Sequence, residues 1–183
     1  MSLSTELKQA ISHLPSAEKD KLLFRLLRKD PDMCQRLYFE LVEEGDSLAP
    51  RREEIQAEMQ RILKFDPYSP GYLMMDLRTL NGTITRHVKH TRDKQGEIHL
   101  TLYMLRSCLE LHGAFIIAHL HRADSLQNYL VKRLETVLEK LSKIHQDLFV
   151  EYEADVNYLL TQLHTRIAPI HAHKAKLPKQ WPD

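Results

Sequence analysis

The stretch DSLQNYLVKRLETVLEKLSKIHQDLFVEYEADVNYLLTQLHTRIA, Asp124 to Ala168, decides the fold. Its apolar residues are Leu126, Leu130, Leu134, Val137, Leu141, Ile144, Leu148, Tyr152, Val156, Leu159, Leu163 and Ile167. Every gap is three or four, the spacing that keeps side chains on one face of an α-helix. Neither glycine nor proline interrupts the run before Pro169. The pattern predicts one helix over 124–168, capped by Asp124 or Ser125 and on the order of 65 Å long at about 1.5 Å per residue. A helix with so wide an apolar face must bury it against other helices.

Upstream, the chain predicts short helices separated by proline-marked turns. Leu3, Leu7 and Ile11 form one stripe before Pro15, and Leu22, Leu23, Leu26 and Leu27 form a second, with Ser16 as its expected cap. A third helix is expected from about Asp32 to Glu44, with Gly45 as its C-terminal cap. A fourth, starting near Ala49, carries Ile55, Met59, Ile62 and Leu63. The turn-rich Asp66-Pro67-Tyr68-Ser69-Pro70-Gly71 sets an expected division into a short-helix unit over 1–66 and a long-helix unit over 67–170. A loose basic tail is expected over 171–183.

Residues 71–122 carry two readings. As helix, Leu73, Leu77, Leu80, Ile84 and Val88 make one stripe, and Ile98, Leu102, Leu105, Leu109, His112, Ile116 and Leu120 another. As strand, Thr83–Val88 is rich in β-branched residues, Ile98–Leu102 alternates with period two, and Asp93-Lys94-Gln95-Gly96 has hairpin-turn chemistry. The fold class expected is therefore all-α, with short N-terminal helices followed by an antiparallel helical bundle built on one long C-terminal helix, and a small β-hairpin at about 83–103 as the alternative for that segment. Gly113, inside the most apolar section, predicts close approach of another helix.

Composition narrows the function classes. The net charge is +1 and 28% of residues are charged, so no global field marks a nucleic-acid-binding protein. Cys34 and Cys108 lack metal-ribbon or CxxC spacing and read as small hydrophobes in a reducing compartment. The N-terminus is polar, without the apolar core of a signal peptide, and the uncharged run Leu111–His121 is too short and too histidine-rich to span a bilayer. The expectation is a cytoplasmic protein without membrane contact.

Two local constellations carry candidate chemistry. Arg86, Lys89, His90, Arg92 and Lys94 form the densest positive segment and are the candidate residues for binding a polyanion, nucleic acid or phosphate. Six of the eleven histidines lie between residues 87 and 121. A helical hairpin turning near residue 123 sets His99 against His145 and Asp147, a ligand set suited to zinc or iron(II); His112 and His119, seven apart, share a face nearby. His99, His112, His119, His145 and Asp147 are the candidate metal ligands. No catalytic motif and no cofactor motif is present in the sequence. The function expected is a non-catalytic helical interaction or assembly module, with a protein partner or a second copy of the chain completing its apolar surface. Polyanion binding and a metal-dependent helical-bundle enzyme are the alternatives.

Overall fold

In the computed structural model, which describes residues 3–182, every regular element is helical. The α-helices are α1 (Thr5–His13), α2 (Ser16–Leu27), α3 (Pro31–Leu41), α4 (Leu48–Leu63), α5 (Pro70–Thr91), α6 (Lys94–Ala118), α7 (Asp124–Leu141), α8 (Phe149–Gln162) and α9 (Pro169–Lys174). The all-α expectation is met. They form two compact units, one of Met1–Asp46 with Lys89–Thr91, the other of Ser47–Val88 with Arg92–Asp183. The division falls before α4, not after it at residue 66, because α4 lies along α6 as a layer of the larger unit.

In the smaller unit, local signals set the helix ends. The Ser4 hydroxyl accepts from the Leu7 amide at 3.3 Å, and the Asp30 carboxylate accepts from the Met33 amide at 3.0 Å, with Pro31 opening α3. The expected Ser16 cap does not form, since Ser16 is already inside α2 and Pro15 precedes it. After α3, Gly45 takes φ 79° and its amide returns to the Phe39 carbonyl at 3.1 Å, a left-handed exit that glycine adopts without strain. Phe39 is the one buried residue in these three helices.

The larger unit is arranged around α6, which packs against α4, α7 and α8. Ile98, Leu100, Thr101, Leu102, Met104, Leu105, Cys108, Leu109, His112 and Ile116 of α6 are all buried. A helix covered on several flanks loses the 3.6-residue alternation of a surface helix. The hairpin alternative at 83–103 is thereby corrected. Its period-two run, Ile98 to Leu102, is a helical segment with Ile98 and Leu100–Leu102 buried and only His99 facing out. Arg92, at φ 59°, ends α5, and the Asp93-Lys94-Gln95-Gly96 segment opens α6.

The single helix over 124–168 is also corrected. It breaks after Leu141, passes through a turn and an extended His145, and restarts by way of a 3-10 turn at Gln146–Leu148. The stripe itself faces the core as read: ten of its twelve residues are buried, and only Ile144 and Leu148, at the break, are half-exposed. The reason for the break is length. At about 1.5 Å per residue α6 offers about 37 Å of surface, too little for a continuous rod. Two shorter helices bury the same stripe by lying on α6 side by side. Below α8 a π-helical turn, Leu163–Ile167, leads to Ala168, and Pro169 begins α9 instead of ending the chain's helical part.

The tail is not loose up to Pro182. Ala172 and Leu177 are buried, and the Asn157 side chain donates to the Trp181 carbonyl at 2.6 Å and accepts from its amide at 2.7 Å. The Trp181 and Phe149 rings lie 4.6 Å apart. One buried leucine, one indole and a two-bond amide clamp outweigh the segment's charge.

By length and composition α6 is one helix that could cross a membrane, with a mean hydropathy of 1.3 over its most apolar window, half of which is buried inside the fold. The expectation drawn from Leu111–His121 missed this because the apolar window extends toward Lys94. Nor does Gly113 mark a close approach: a Cβ there would meet nothing within 4 Å. Gly113→Ala therefore removes a helix-weakening residue without a clash, and urea unfolding should show a stability gain of about 0.5–1 kcal/mol.

Candidate functional site

The most heavily constrained polar group is the Asp93 carboxylate, at the corner between α5 and α6. It caps α6 by accepting from the Gly96 amide at 2.8 Å. Arg52, one turn into α4, reaches it with two parallel bonds, Nε at 2.7 Å and Nη2 at 2.6 Å. His87, in the last turns of α5, donates from Nε2 at 3.0 Å. Asp93 and His87 are 7% and 5% exposed. Burial pushes the carboxyl up, but the bonds from His87, Arg52 and Gly96 outweigh it and hold Asp93 well below the usual carboxylate range. All three helices thus converge on one satisfied charge, a structural arrangement with its donors turned inward.

The five residues of the basic cluster are used differently. Lys89 and His90 both bind Asp32 of the smaller unit; His90 Nε2 lies 3.0 Å from Oδ1, and Lys89 ion-pairs with Oδ2. The Lys89 and His90 bonds hold the Asp32 carboxyl below its ordinary value. Arg86 Nη2 donates to the Thr83 hydroxyl at 3.1 Å. Arg86, Arg92 and Lys94 are exposed.

The metal set is not assembled. Among the described residues, no three His, Cys, Asp or Glu side chains are placed to hold an ion. His99 accepts from the Gln56 amide at 2.9 Å, on the α4 side of α6. His112 is buried and donates to the Leu63 carbonyl at 2.9 Å, satisfying the end of α4. His119 donates to Phe115 O in its own last turn. His145 and Asp147 pair only with each other, 3.3 Å apart and exposed in the α7–α8 connection. The expected register fails because a turn at 123 would oppose Glu97 to residue 149, whereas Glu97 pairs with Lys140. The α6–α7 hairpin is centred near the end of α6.

Two clefts were not legible in the sequence. One, of about 480 Å³, lies between α2 and α3 and is lined by Leu23, Leu26, Leu27, Met33 and Leu37, with Lys29 and Asp30 at its edge. The other, of about 380 Å³, lies in the larger unit beside the start of α6 and the end of α7. The signal available for it was the pair Lys140 and Lys143, three apart, one at the end of α7 and the other in the turn after it. With this geometry established, comparison shows that no family model, curated protein or solved structure matches the chain.

Replacing Asp93 with Asn keeps the cap but removes the charge facing Arg52 and His87. Urea unfolding at neutral pH should show a loss of about 3 kcal/mol. The sign of the pH effect follows from the depressed carboxyl. Its stabilisation is full above the unfolded value of 3.8 and is lost as pH falls toward the folded one. Stability of the parent should therefore fall below about pH 4 more steeply than that of Asp93→Asn.

Proposed function

We propose that the chain is a non-catalytic helical assembly module whose smaller unit completes its core with a second copy of itself, while α6–α8 serve as an antiparallel bundle scaffold. The observation that carries this reading is the contrast in burial. Helices α1, α2 and α3 are 9, 12 and 11 residues long, and all but Phe39 of their residues remain at least partly accessible. Helices of that length are marginal alone in water and need a packed face. Leu23, Leu26 and Met33, which line the α2–α3 cleft, are 46%, 55% and 42% exposed. Uncovered leucine and methionine side chains gathered in one groove mark an interaction surface.

A helix with a narrow apolar stripe suits such a groove. The chain carries one in α1, where Leu7 is 46% exposed and Ile11 lies on the same stripe, with Leu3, 57% exposed, just ahead of the Ser4 cap. Glu6 and Lys8 flank that stripe, opposite in sign to Lys29 and Asp30 at the rim of the cleft. An exchange in which each copy's α1 enters the other's cleft is self-complementary and closes as a two-fold dimer. Exposed apolar side chains thus line one groove on the short helices, while others, such as Phe65, Tyr68 and Val150, stand singly in the larger unit. With Lys89 and His90 engaged by Asp32, polyanion binding has fewer free cations than its sequence promised.

Light scattering at two protein concentrations should give twice the 21.5 kDa chain mass. Leu26→Glu with Met33→Glu should yield the monomer mass with an unchanged far-ultraviolet spectrum, and Leu7→Glu should do the same from the other side of the contact. A parent chain that stays at 21.5 kDa at the higher concentration would overturn the proposal.

A further inference from the structure

We propose that the larger unit contains a binding site for a small amphiphilic carboxylate, a single anionic head on a short apolar chain. The site is the cleft of about 380 Å³ lined by Val88, Lys94, Glu97, Ile98, Lys140, Lys143 and Ile144. Its volume lies at the lower end of the range for ligand clefts, about 300–1,000 Å³.

The floor is apolar and comes from three places in the chain. Val88 belongs to α5, Ile98 is fully buried in α6, and Ile144 follows α7. Val88 and Ile144 stay partly accessible while packing on the core, so a bound chain would remove apolar surface from water. The rim is cationic. Of its four charged residues, Lys94, Lys140 and Lys143 are basic and Glu97 is acidic. Glu97 is already committed to Lys140, with Oε1 and Nζ 2.5 Å apart. Lys94 and Lys143 are exposed and form no ion pair among the described residues.

This combination selects the ligand class. A cationic amphiphile would meet two unpaired ammonium groups. A neutral hydrocarbon would use the floor and leave the lysines idle. Phosphate alone, or a polyphosphate backbone, would engage the rim but leave Val88, Ile98 and Ile144 wet, and would face Glu97. One carboxylate between Lys94 and Lys143, with its chain over the isoleucines, uses both parts of the cleft.

The test is a methyl-detected NMR titration of the full-length chain with decanoate, decylammonium and inorganic phosphate. Decanoate should bind saturably and shift the Val88, Ile98 and Ile144 methyls. Decylammonium and phosphate should each bind at least about tenfold more weakly. Lys94→Ala with Lys143→Ala, both exposed positions, should weaken decanoate about tenfold with the spectrum of the folded protein intact. No saturable decanoate shift, equal binding of decylammonium, equal binding of phosphate, or shifts centred on Leu23 and Leu26 of the α2–α3 cleft would each overturn the proposal. So would a double variant that binds as the parent does.

Discussion

At the corner where α5 gives way to α6, one carboxylate holds three helices. Asp93 caps α6 through Gly96, takes a two-pronged guanidinium from α4 and an imidazole from α5, and is almost closed to water. Each donor alone would leave an expensive buried charge; together they saturate it. The consequence is geometric as well as energetic. The start of α6 is tied to both helices that precede it in the larger unit, so α7 and α8 find their surface already placed.

That surface explains the two departures from the sequence pattern. Because α6 is covered by α4, α7 and α8, its apolar residues occupy most of its circumference, and five consecutive positions imitate a strand. Because α6 ends at Ala118, the downstream stripe cannot be used in one piece. The chain folds back through His145 and lays the second half of the stripe alongside the first. The break uses no proline or glycine. Local helix propensity through Ser142–Leu148 yields to the burial of Tyr152, Val156 and Leu159, since packing routinely outweighs a few tenths of a kcal/mol per residue.

The two units differ in how much their helices bury. In the larger one several polar groups that enter the core are answered, His112 by the Leu63 carbonyl, His87 by Asp93 and Tyr129 by the Leu77 carbonyl at 3.2 Å, while Arg133 Nε and His171 Nδ1 are buried without a hydrogen-bond partner among the described residues. In the smaller one Leu23 and Leu26 of α2 and Met33 of α3 stand open to solvent. The lysine-rimmed cleft lies within the larger unit, where an apolar floor and a cationic edge coincide.

Helical spacing alone carried the all-α reading outside 83–103, the places where most helices lie, and the face that 124–168 buries. These follow from contacts three and four residues apart. The turns at Asp30-Pro31 and Ser69-Pro70 were legible as helix stops, and in the structure Asp30 and Ser69 also cap the helices that follow. What the tertiary structure decided needs partners distant in sequence. Arg52 meets Asp93 across 41 residues, and Gln56 meets His99 across 43. The histidines looked like ligands because a register assumed from one turn brought them together. The observed register, marked by Glu97 and Lys140, sends them to separate faces. The break after Leu141, the docking of Trp181 and both clefts depend likewise on how much surface α6 and its neighbours present, a property of packed helices that no local spacing contains.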